Sequence, residues 1–124
     1  MAGVPAAKGA WLQRQFRLTR TQDFQRVRRS GKSFAHPLLV LAVRANDAAD
    51  VHVGVAAGRT VGTAVRRNRA KRLLRAAMQG LIDSVARGWD LVLIARPALV
   101  SSDYFEVRQV LIGLLRRAQL LESA

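Results

Sequence analysis

The chain has no cysteine and little negative charge: its 124 residues include 8 Asp and Glu against 21 Lys and Arg, and only 2 His. Without Cys there is no disulfide framework, no thiolate nucleophile and no zinc site of the Cys type. The acids are scattered, and none lies between Asp50 and Asp83. A two-metal nuclease needs several converging carboxylates, so no metal site and no catalytic residues of the chain's own are expected. His36 and His52 belong to no HExxH or Ser/His/Asp pattern. Gly54, Gly58 and Gly62 do not make a P-loop, because no Gly-Lys-Ser/Thr follows them. No apolar run approaches the ~20 residues of a membrane helix, and the first residues lack the apolar stretch of a signal peptide. A cytoplasmic protein with no membrane partner is expected.

Positive charge dominates what is there. The formal net charge is +13 and the pI about 11.9, and 18 of the 21 cations are Arg. Arg grips phosphates bidentately and stacks on bases, where Lys acts as a point charge. Half the residues are hydrophobic, which is too many for a disordered basic tail and enough for a packed domain of this length.

The cations concentrate in Gly58 to Arg75, GRTVGTAVRRNRAKRLLR, which contains no acid. Ala70, Leu73, Leu74, Ala77, Met78 and Leu81 recur at the spacing of a helix that buries one face. Asn68, Arg69, Lys71, Arg72 and Arg75 fall on the opposite arc, and Arg66 and Arg67 flank the seam near its first turn. A charged helix is ordinarily just a solvated face, but soluble surfaces intersperse both signs. Like charges three and four residues apart repel by a few tenths of a kcal/mol per pair. A face that keeps so many cations without acids points to a polyanion.

The rest of the chain reads as follows. Residues 1–10 are Gly- and Ala-rich and form an expected disordered leader ahead of a single domain, 11–124. Thr21 is a candidate cap for a short helix, Gln22 to Arg29, with Phe24 and Val27 on its apolar face and Gly31 as its stop. Lys32 to His36 and Leu38 to Arg44 are strands. The second of these and Val51 to Ala57 suggest an antiparallel hairpin around the Asn46–Asp50 turn. In the latter strand His52, Gly54 and Ala56 form a small-residue face, open to a ligand or closed by a packed helix. The basic helix is expected from Thr63, its cap, to Val85, with Gly80 inside it and Gly88 after it. Asp90 to Arg96 is a buried strand, parallel to 51–57. Asp103 and Glu106 have the spacing of a capping box for the last helix. The expected fold is α+β: a two-layer sandwich of one mixed sheet of about four strands and three helices, in the order α-β-β-β-α-β-α.

The string Val61 to Arg75, with Arg67-Asn68-Arg69, Lys71-Arg72 and Arg75 as its core, resembles the signature of the protein subunit of bacterial ribonuclease P. Arg17 to Phe34 is similar to that family's N-terminal helix and turn, and Trp89 to Pro97 to its last strand. The resemblance implies a left-handed β-α-β crossover, against the usual hand. It also implies a function. The holoenzyme removes the 5′ leader of precursor tRNA, and its catalytic centre, with magnesium, lies in a large RNA that the protein assists. Arg66, Arg67, Asn68, Arg69, Lys71, Arg72 and Arg75 would then contact RNA. Phe24 matches an aromatic at the edge of a cleft for the leader. Arg28 stands where many members carry a second aromatic, and Ala42 where some carry Tyr. Arg28 can stack its guanidinium or hold a phosphate. Phe34 and His52 are further candidates for the cleft. Thr63 replaces a common Asn. The competing readings are a general basic RNA-binding module, a protein-only nuclease, which the scattered acids oppose, and a DNA binder, which is not expected.

Overall fold

The structure is a computed structural model that describes residues 17, 18 and 20–121. The expected leader at 1–10 lies outside the described residues. Three helices and four strands follow in the order α1 (Thr21–Ser30), β1 (Lys32–Ala35), β2 (Leu39–Ala45), β3 (His52–Ala56), α2 (Ala64–Gln79), β4 (Trp89–Ala95) and α3 (Tyr104–Arg117). The sheet order is β1-β2-β4-β3. β2 runs antiparallel to both β1 and β4, and β3 runs parallel to β4.

This order corrects the expected hairpin. β2 and β3 do not pair; β4 stands between them. The cause is the composition of β4. Leu91, Val92 and Leu93 are fully buried, so the strand needs cover on both faces and a paired neighbour on both edges. β3 carries His52 and Gly54 and takes the outer place. Beyond it residues 17 and 18 add a short bridge, with the Leu18 N–H donating to the Val53 carbonyl at 2.8 Å.

Alternation along the strands divides the interior in two. Leu41, Val43, Val53, Leu91 and Leu93 point to the main core, which α2 closes with Ala70, Leu74, Ala77 and Met78 and α3 with Val107, Leu111, Leu114 and Leu115. Ala42 and Val92 point the other way and meet Leu18 and Val27, with Phe24 and Ile94 alongside. Helix α1 therefore forms a third, smaller layer on the opposite face of the sheet, where two layers were expected.

The helix ends show which local signals decide. The Thr63 hydroxyl accepts from the Arg66 N–H at 3.3 Å, and the Asp103 carboxylate from the Glu106 N–H at 2.9 Å. Both are side-chain caps of the expected kind. Thr21 is not a cap: it lies inside α1, whose N-cap is Arg20, with no side-chain bond there. α2 stops at Gln79 with Gly80 as its C-cap, short of the expected Val85. The chain then turns through a 3-10 segment, Ile82–Ser84, and still buries Leu81 and Val85. Apolar spacing thus continues past the end of the helix that it seemed to describe.

Leu74 has no exposed surface. Leu74→Ala is expected to cost about 2–5 kcal/mol, the range for a core leucine deletion; its midpoint in urea against the parent chain measures this.

Candidate nucleic-acid interface

Helix α2 ties three of its guanidiniums back to the backbone. Arg66 Nε donates to the Val61 carbonyl at 3.1 Å and Arg67 Nε to the Gly62 carbonyl at 3.0 Å. Arg69 Nε reaches the Val100 carbonyl, also at 3.0 Å. Each tether sets the direction of the fork while leaving its terminal nitrogens for a phosphate, which Arg holds bidentately. The loop that receives Arg66 requires glycine. Gly62 has φ +130°, and a Cβ there would lie 2.7 Å from Arg66 Cδ. Arg66, Asn68, Arg69 and Arg72 are exposed, while Arg67 and Lys71 are half-buried.

Arg75 departs from this arc. It is half-buried and lines a groove of about 400 Å³ with Arg17, Leu18, Phe24, Val53, Gly54 and Val55. The groove runs along the outer side of β3, and no acid is among its described lining residues. Burial first, and the charge of Arg17 second, push the Arg75 guanidinium below its ordinary pKa. The groove therefore brings two cations together against their mutual repulsion. The Phe24 ring forms its wall. It lies directly over Gly54, where an added Cβ would collide with Phe24 Cζ. The small-residue face of β3 is thus closed at Gly54 by a helix side chain, and it is the absence of a side chain there that lets the ring lie so low.

The ribonuclease P family model matches residues 12–119. The chain belongs to the ribonuclease P protein family. It is 39% identical over 109 residues to the ribonuclease P protein component of Herpetosiphon aurantiacus, covering 88% of this chain and 89% of that one. The solved RNase P protein from Thermotoga maritima is 31% identical, with a TM-score of 0.73 over 86% of this chain and 98% of the other. An RNase P protein from Staphylococcus aureus, 24% identical with a TM-score of 0.77 over 86% of this chain and 98% of the other, shares the fold.

The four residues expected at a cleft separate in the structure. Phe24 lines the groove. Arg28, one turn further along α1, is exposed and outside its lining. Phe34 is not in the groove. It pairs with Leu41 across β1 and β2, so it faces the main core on the other side of the sheet, with the Arg117 guanidinium 5.7 Å from its ring centre. His52 shares the Gly54 face, but Nδ1 is held 2.9 Å from Asp90 Oδ1, and Asp90 also accepts from Asn46 Nδ2 at 2.8 Å. That network fixes the end of the β3–β4 pair. Arg17 and the groove-lining position of Arg75 were missed from sequence. A two-residue bridge has no periodicity, and a helical wheel cannot show which boundary residue meets a neighbouring strand.

Gly54→Ala is expected to force the Phe24 ring outward and to cost about 1–3 kcal/mol, as overpacking does. Phe24→Ala removes the collision, so the double variant should be clearly more stable than the sum of the two losses. Urea unfolding of the four chains measures that coupling.

Proposed function

We propose that the chain is the protein subunit of a ribonuclease P ribonucleoprotein and acts through two connected surfaces. The α2 face, Arg66, Arg67, Asn68, Arg69, Lys71 and Arg72, docks on the RNA subunit. The groove of Phe24, Arg17 and Arg75 takes the single-stranded 5′ leader of precursor tRNA. The supporting observation is the place of Arg75: it belongs to the basic helix by sequence and to the groove by packing, so the leader and the RNA subunit meet at one helix.

Each surface suits its ligand. Tethered guanidiniums bind the phosphates of a folded RNA by shape and position rather than base identity. A groove with paired cations and one ring holds an extended strand of any sequence, because every base has a face to stack. Arg28, at the margin, can add a phosphate contact where family members place a ring.

Magnesium does not fit this protein as a resident ion. Among the described residues no group of His, Asp or Glu is arranged to hold a metal, both surfaces are cationic, and the buried carboxylate Asp90 is already engaged by Asn46 and His52. The ions of the reaction are those of the RNA subunit and the substrate, and bond cleavage occurs in the RNA. The protein contributes affinity for the leader and screens repulsion between two polyanions, which lowers the magnesium concentration that cleavage requires. Among the described residues no helix is long and apolar enough to cross a membrane, which is compatible with work in the cytoplasm.

The test is cleavage of 5′-labelled precursor tRNA at low magnesium by the protein alone, by a bacterial ribonuclease P RNA alone, and by their mixture. Cleavage at the mature 5′ end in the mixture only is expected. Cleavage by the purified protein would contradict the proposal, and binding without rescue would reduce it to a general RNA-binding module.

A further inference from the structure

Helix α3 begins with two adjacent rings that have different surroundings. Tyr104 is half-buried against α2, where it lines a hollow of about 170 Å³ with Arg69, Arg72, Leu73 and Ala76. Phe105 is 63% exposed. It meets Tyr104 edge to face, with ring centres 5.2 Å apart and planes at 79°, so the two rings do not cover one another by stacking. Phe105 stands outside the core stripe of α3, which runs through Val107, Leu111, Leu114 and Leu115. Among the described residues the one other large apolar side chain so exposed is Val65, in the first turn of α2.

Charge around the ring narrows its ligand. The Arg69 tether to Val100 ties the cationic face of α2 to the turn just before α3, and exposed Arg72 shares the hollow with Tyr104. Beside Phe105 in the first turn stand Asp103, which caps the helix, and exposed Glu106. Those carboxylates disfavour a phosphate on the ring itself and leave a neutral, flat ligand unpenalised. The guanidiniums one ring away favour an anion attached to it. A base on the ring with its phosphate on arginine meets both conditions, and unpaired bases of folded RNA are held in this way on aromatic side chains.

We propose that Phe105, supported by Tyr104, is a stacking site for one unpaired nucleobase of the RNA subunit, with the adjoining phosphate on Arg72. The site extends the docking face from α2 onto α3. It rests on the reading of the partner as RNA.

The experiment measures the affinity of the full chain for a bacterial ribonuclease P RNA across a salt series, with Phe105 changed to Ala, Leu and Trp and with Arg72→Ala for comparison. Because Phe105 is largely exposed, thermal unfolding of its variants should match the parent. Phe105→Ala should weaken binding roughly 5- to 150-fold, the range for loss of one stacked base. Phe105→Trp should restore it and Phe105→Leu should not. The slope of log affinity against log salt should stay at the parent value in all three, since no charge is lost, and should fall by about 0.7–0.9 in Arg72→Ala. Parent affinity in Phe105→Ala, restoration by Leu as well as Trp, or loss of self-association in place of RNA affinity would each overturn the stacking site. Failure of the parent chain to bind the RNA at all would instead overturn the reading on which it rests.

Discussion

Strand β4 needs cover on every side, and much of the molecule follows from that. Its side chains are apolar on both faces and its backbone has two ladders to fill. β2 takes one edge and β3 the other, while α2 and α3 cover one face and α1 the other. β3 is thereby sent to the outer position, where its free side receives residues 17 and 18 and the groove forms beside it. The connection from β3 to β4 must cross the main face, and it does so as α2, the helix with the cations. The groove and the basic face are neighbours because one buried strand requires the elements that carry them to be neighbours.

Electrostatics then act on that scaffold. Repulsion along α2 is opposed by the burial of Ala70, Leu74, Ala77 and Met78 and moderated by carbonyl oxygens that receive Arg66, Arg67 and Arg69. These bonds are local to the helix entry and the turn before α3, so they orient the guanidiniums before any RNA arrives. Preorganised forks lose less side-chain entropy on binding than mobile lysines would. Between Arg17 and Arg75 the packing holds two cations close enough for one to depress the other's pKa. An anionic strand laid between them relieves that repulsion.

Much of this was legible in the sequence where the signal was local. The core stripes of α2 and α3, the caps Thr63 and Asp103, and the parallel pairing of β3 with β4 all follow from spacing within a short window or from the length of the crossover. Strand order was not legible, because insertion of β4 between β2 and β3 is a contact between distant segments. Phe34 illustrates the same limit at one residue. Alternation shows that it shares a face with Lys32, but only its pairing with Leu41 decides that this face looks toward the main core and away from Phe24. The ring over Gly54 lay between the two: the small face of β3 was visible, and its occupant depended on where α1 packs.

The central claim is that α2 presents its exposed arc to the RNA subunit while the groove beside β3 presents itself to the leader. The absence of cysteine from the chain makes a direct test simple. A single cysteine placed at Asn68 or at Gln25, next to Phe24, can carry a short photo-crosslinker into the assembled holoenzyme with 5′-labelled precursor tRNA. The account predicts that the probe at position 68 joins the RNA subunit and the probe at position 25 joins the leader. Leader crosslinks from position 68, or RNA-subunit crosslinks alone from position 25, would contradict it.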